Sequence, residues 1–126
     1  MIETNGCRGI RGATTVDDPD EIEGVTAELL DALVEANSVR LEDVAAAVFT
    51  VTEDLRGVNP AAAARGHGWH DVPLLCLREH VDLVPRCIRL LLLWNTSRPQ
   101  SEIRHVYLRG TEGLRPDLAG ASEGGS

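Results

Sequence analysis

Arg89 stands inside an otherwise apolar run, Ile88-Arg89-Leu90-Leu91-Leu92-Leu93. Side chains alternate between the faces of a strand. Arg89, Leu91 and Leu93 therefore share one face, and Ile88, Leu90, Leu92 and Trp94 share the other. A buried charge costs several kcal/mol unless it is paired. Two readings meet that cost. In one, Arg89 forms a salt bridge to a carboxylate such as Glu79. In the other, it lines a pocket whose second partner is an anionic ligand, a role that suits the planar guanidinium because it meets a carboxylate bidentately.

Other groups could join such a site. Arg8 and Arg11 lie in "CRGIRGATTV" near the N-terminus. They are an odd number of positions apart, so they face opposite sides of a strand and cannot serve one site. Gly9 and Gly12, each following an arginine, leave room beside Arg11 for a ligand or a neighbouring backbone. Tyr107, the only tyrosine, shares a strand face with His105 and Arg109 and reads on its own as a half-buried sheet aromatic. Arg65, near the end of a short helix, suits a helix C-terminus. His67 and His70 lack the further spacing of a metal site. Cys7, Cys76 and Cys87 are odd in number and widely spaced, so they read as free thiols, outside any disulfide framework or zinc site. All 12 basic residues are arginine, which excludes lysine Schiff-base and P-loop chemistry. No GxSxG-type nucleophile motif is present.

Composition bounds the partners. A chain of 126 residues is long enough for one compact domain with a real core. We expect that domain to span 1–117, with a flexible tail at 118–126, where "ASEGGS" is small and polar. The formal net charge of −8 argues against nucleic acid or an anionic membrane as partner. An anionic substrate would need a local cluster of arginines on this repelling background. No apolar run reaches the length of a membrane span and no signal pattern opens the chain, so a cytoplasmic protein is expected.

The elements that must position these groups are legible from periodicity. Residues 7–15 read as a first strand. Asp18 (a plausible N-cap, with Pro19 next and Glu21 at capping-box spacing) opens an amphipathic helix marked by Ile22, Val25, Leu29, Leu33 and Ala36. Residues 37–44, "NSVRLEDV", read as a connection with a short helical turn. Residues 45–55 are a second strand, and Asn59-Pro60 caps a short helix that stops at Gly66. Strands are expected at 72–77, 86–96 and 103–110, the second of these with the apolar signature of a central strand covered on both faces. This order is α/β or α+β with a mixed sheet. Two helices cannot cover both faces of such a sheet, which suggests burial of the rest against another subunit.

Taken together, "RGIRGATTV", "FTVTEDL", "NPAAAAR", "VPLLCLRE", "RCIRLLLLWNT", "IRHVYL" and "LRPDL" resemble, in order and spacing, the monofunctional chorismate mutases of the AroH type. The resemblance covers nearly the whole chain. It implies an α+β fold with a mixed sheet, one long and one short helix, and a ferredoxin-like pseudo-barrel trimer with sheets packed at its centre and active sites between subunits. It implies conversion of chorismate to prephenate with no cofactor and no metal. By position, Arg11 and Tyr107 would bind a substrate carboxylate, and Arg89 the ether oxygen and a carboxylate. Glu79 and the Cys76 region would hold the ring hydroxyl. Arg65 would help close the site, and Leu114 and Arg115 would lie near its entrance. Asn59, Ala61, Ala62 and Leu75 complete the implied substrate-binding set. The sequence departs from the family pattern in having Asn59 where an aromatic residue is common and Ala62 where some members carry a basic residue. The stretches 65–69 and 79–86 are shorter than usual. The alternative is a non-catalytic trimer that binds small carboxylates.

Overall fold

A computed structural model describes residues 5–55, 57–80, 84–115 and 117. Among these residues, five strands and two helices run in the order β1 (Gly6–Thr15), α1 (Ile22–Asn37), β2 (Val44–Val51), α2 (Pro60–Gly66), β3 (Leu74–Arg78), β4 (Cys87–Thr96) and β5 (Val106–Tyr107). Short 3₁₀ turns fill several connections. The fold is α+β. The sheet is mixed, with strand order β3-β2-β4-β1-β5. β4 lies at its centre, antiparallel to both β1 and β2, while β3 and β5 flank them in parallel. The expected tail at 118–126 and part of the 79–86 connection lie outside the described residues.

The central place of β4 follows from its apolar run, but its two faces differ. Ile88, Leu90, Leu92 and Trp94 are buried. They form one core with Ile10, Ala47 and Phe49 of the neighbouring strands and Val25, Leu29, Leu30 and Leu33 of α1. On the opposite face, Leu91 is 40% exposed. Among the described residues, cover on both faces, expected from the sequence, is therefore absent within one chain: α1 and α2 lie on the core side. Leu75 and Leu77 of β3, at 53% and 49% exposure, share this open face.

Helix starts follow the sequence signals. Asn59 Oδ1 accepts the N–H of Ala62, with Pro60 opening α2. Asp18 accepts from the N–H of Asp20, but Pro19–Glu21 is a 3₁₀ turn and α1 begins at Ile22. Gly12 is buried beneath α1: an added Cβ would lie 3.1 Å from Leu33 Cδ1 and 3.2 Å from Leu29 Cδ1. That Cβ would also lie 3.4 Å from the Val106 carbonyl, so a neighbouring backbone uses the space as well. The glycine lets the helix approach the strand. Gly9 does face the open side, near Leu91.

Two strands are shorter than expected. β2 ends at Val51, because Thr52 turns the chain and its Oγ1 bonds Asp54 at 2.5 Å. Asp54 in turn accepts the N–H of Arg86 with both oxygens, at 3.1 and 2.9 Å, and so fixes the chain just before β4. These bonds hold the Asp54 carboxyl below its usual range. The last strand, expected over 103–110, is only Val106–Tyr107. Downstream, Arg109 and Gly110 take left-handed φ values of 52° and 85° and turn the chain away. Arg109 is held there by Glu28 of α1 at 2.9 Å, and its carbonyl accepts from Thr15 Oγ1 at 3.0 Å.

Candidate active site

Strand register gathers the charged residues on the open face. Thr50 of β2, Arg89 of β4, Ala13 of β1 and Tyr107 of β5 form one row across the sheet. Arg11 lies one row along, paired with Leu91, which is paired in turn with Val48. Glu79 follows the end of β3, where its N–H bonds the Val51 carbonyl at 2.8 Å. The turn after β5 then brings Leu114 and Arg115 back over this face. The result is a cavity of about 270 Å³ lined by Arg11, Gly12, Val48, Thr50, Glu79, Arg89, Leu90, Leu91, Tyr107, Leu114 and Arg115.

Arg89 both pairs with Glu79 and lines the cavity. Arg89 Nε lies 3.8 Å from Glu79 Oε2, a loose ion pair whose side chains are 36% and 18% exposed. Thr50 Oγ1 donates to the same Glu79 oxygen at 2.6 Å. Arg89 still lines the cavity, so much of its guanidinium capacity remains for a ligand. The lining holds three guanidinium groups against one carboxylate, so its balance is positive. Arg115 shares its charge with Asp117 outside the lining, at 2.9 Å. Burial pushes the Tyr107 phenol above its usual range, against the opposing influence of Arg11, Arg115 and Arg89. The hydroxyl therefore stays a donor at neutral pH. Such a pocket fits a small dianion with an apolar body.

Of the residues singled out from sequence, Arg11, Glu79, Arg89, Tyr107, Leu114 and Arg115 meet in this cavity. The others do not line it. Asn59 caps α2, and Ala61 is buried in the core at 5% exposure. Ala62 borders a separate small hollow with Glu23 and His67, and Arg65 is exposed. These four sit at the helix layer, across the sheet from the cavity. Leu75 is exposed on the edge strand. Cys76 packs against the core, which raises its thiol pKa by desolvation. Cys87 is buried and pushed up to about 11. Among the described residues, no group of three or more His, Cys, Asp or Glu side chains could hold a metal ion.

Two polar residues that bear on the site escaped the sequence reading. Thr50 could have been found, because alternation against Phe49 and Val51 puts it on the face of Arg89. His105 could not: it accepts the backbone N–H of Arg11, 94 positions away, and no local pattern signals that.

Residues 7–118 match the family model for chorismate mutase type I. The chain belongs to that family. Within the family, it is 54% identical over 119 residues to "Chorismate mutase AroH" of Thermus thermophilus, covering 90% of this chain and 98% of that one. It is 44% identical over 118 residues to "Chorismate mutase AroH" of Bacillus subtilis (strain 168), covering 89% and 92%. Among solved structures it is similar to "Chorismate mutase from Clostridium thermocellum Cth-682", with a TM-score of 0.79 and 41% identity over 84% of this chain and 98% of that one. The resemblance drawn from the sequence motifs and the type I family model therefore agree.

Proposed function

We infer that the protein is a chorismate mutase, an isomerase that rearranges chorismate to prephenate. The observation that carries this is the convergence of Arg11, Arg89, Glu79 and Tyr107 on one cavity in a chain of the type I family. Chorismate is a dianion with an apolar ring, and the cavity offers the guanidinium groups of Arg11, Arg89 and Arg115 beside Val48, Leu90, Leu91 and Leu114.

The reaction is intramolecular. The ether carbon–oxygen bond breaks while a carbon–carbon bond forms, and no proton or nucleophile is required. Two tasks remain for the protein. It holds the enolpyruvyl arm over the ring in the reactive geometry. It also places positive charge where the ether oxygen gains negative charge in the transition state. In this reading Arg89 faces the ether oxygen and a carboxylate, and Arg11 and Tyr107 hold a carboxylate. Glu79 accepts from the ring hydroxyl and, through its loose pairing with Arg89, lowers the cost of keeping that guanidinium partly buried.

The proposed assembly is a homotrimer with its open sheet faces toward the centre. The exposed Leu75, Leu77 and Leu91 on that face support it, since a contiguous apolar patch of this kind marks an interface. In the trimer, Asn59, Ala61, Ala62, Arg65, Leu75 and Cys76 of one subunit would complete the cavity of its neighbour. Ala61 and Cys76, with side chains turned to their own core, would then present backbone groups. A cytoplasmic location fits this activity, and among the described residues no helix is long and apolar enough to cross a membrane.

Purified protein incubated with chorismate should consume its absorbance far faster than the uncatalysed reaction, and sedimentation should give a trimer. Tight binding of prephenate-like diacids without turnover would instead establish the non-catalytic binding trimer.

A further inference from the structure

β5 is two residues long and covers β1 only at Gly12 and Ala13. Upstream of these, side chains take over the pairing of the β1 edge. Gln100 Nε2 donates to the Gly9 carbonyl at 2.7 Å, and its Oε1 accepts the Gly9 N–H at 3.0 Å. His105 Nδ1 accepts the Arg11 N–H at 2.9 Å. His105 is only 7% exposed. An accepting Nδ1 is unprotonated, which places the ring proton on Nε2. Burial and the charges of Arg11 and Arg115 all favour that neutral ring, against an opposing influence from Asp117.

The Arg11 side chain is exposed, so the aim of its guanidinium depends on the backbone from which it starts. We propose that His105 is a positioning residue for Arg11, its Nδ1 holding the strand backbone so that the Arg11 guanidinium enters the cavity at a fixed place. This rests on the reading that Arg11 binds a substrate carboxylate. His105 does not line the cavity, so it acts through Arg11 and not on the substrate.

Steady-state kinetics of the full chain with chorismate test the proposal. His105→Leu keeps the bulk and removes the acceptor. It should raise KM about tenfold, the scale of one lost backbone hydrogen bond, with kcat within about twofold. His105→Asn places an amide oxygen near the position of Nδ1 and should restore KM to within about threefold of the wild type. His105→Gln carries the same group one methylene too far and should not. In an Arg11→Ala background, His105→Leu should add no further rise in KM. Wild-type KM in His105→Leu, or equal KM values for the Asn and Gln variants, would overturn the positioning role while a raised KM in Arg11→Ala left the carboxylate reading standing. Wild-type KM in Arg11→Ala would overturn that reading itself.

Discussion

Thr50 and Arg89 lie directly opposite each other on β2 and β4, and both reach the same oxygen of Glu79. Thr50 comes closer, at 2.6 Å against 3.8 Å for Arg89. The hydroxyl, rather than the guanidinium, therefore fixes where the carboxylate sits. A hydrogen bond to a charged group contributes about 1.5–3 kcal/mol. Thr50→Val, which keeps the branched shape, should lower kcat/KM by about tenfold or more. Thr50→Ser should stay near wild type. Kinetics that do not distinguish Val from Ser would show that Glu79 needs no such anchor.

Arg89 carries the electrostatic part of catalysis in this reading. Removing one preorganised donor from a developing oxyanion costs on the order of 10²–10³ in kcat. Arg89→Ala should show that loss while sedimentation still finds the wild-type assembly. Arg89→Lys should recover only part of it, because an ammonium group cannot reproduce the planar, two-pronged donor. Full activity in the lysine variant would remove the argument from planarity.

Gly12 sets the distance between α1 and β1. A Cβ there would lie 3.1–3.4 Å from Leu33, Leu29 and the Val106 carbonyl. Gly12→Val adds two further carbons to that gap, and overpacking of this kind costs roughly 1–3 kcal/mol. The denaturation midpoint should fall accordingly. An unchanged midpoint would mean that α1 shifts without penalty.

His105 gives stability a pH dependence with a definite sign. Its folded pKa lies below the ordinary imidazole value of 6.5, chiefly through burial. The unfolded chain therefore binds the proton more readily than the folded one. The stabilisation is complete above about pH 6.5 and falls as the pH drops from there toward the folded pKa. Thermal melting from pH 7.5 to 5 should show a decline in Tm that His105→Asn, which does not titrate, lacks. Parallel curves for the two proteins would contradict this.

The central framework was legible because it rests on local pattern. "RCIRLLLLWNT" specifies a central strand, and strict alternation alone separates Arg89 and Leu91 from Leu90 and Leu92. Asn59-Pro60 marks the start of α2 for equally local reasons. The failures are of another kind. β5 is short because Gln100 and His105 side chains do the pairing that strand backbone was expected to do, and that substitution is decided by tertiary approach. Gly12 was left open between a ligand and a neighbouring backbone, and α1 was not foreseen there, because only the docked helix reveals that it needs the space. The six residues that converge on the cavity do so through register between strands far apart in sequence. The remaining six implied by the family resemblance lie elsewhere in a single chain, and periodicity carries no information about a second subunit.

The side-chain pairing at Gly9 and Arg11 also bears on aggregation. An exposed strand edge is a template for another chain, and open-ended growth of a sheet requires two such edges on every molecule. Gln100, His105 and β5 together close the β1 edge from Gly9 to Ala13. Among the described residues, β3 on the other side of the sheet pairs only with β2. A molecule with one usable edge can join a single partner along it but cannot propagate a fibril. Gln100 thus occupies backbone groups of Gly9 through which another chain would otherwise pair.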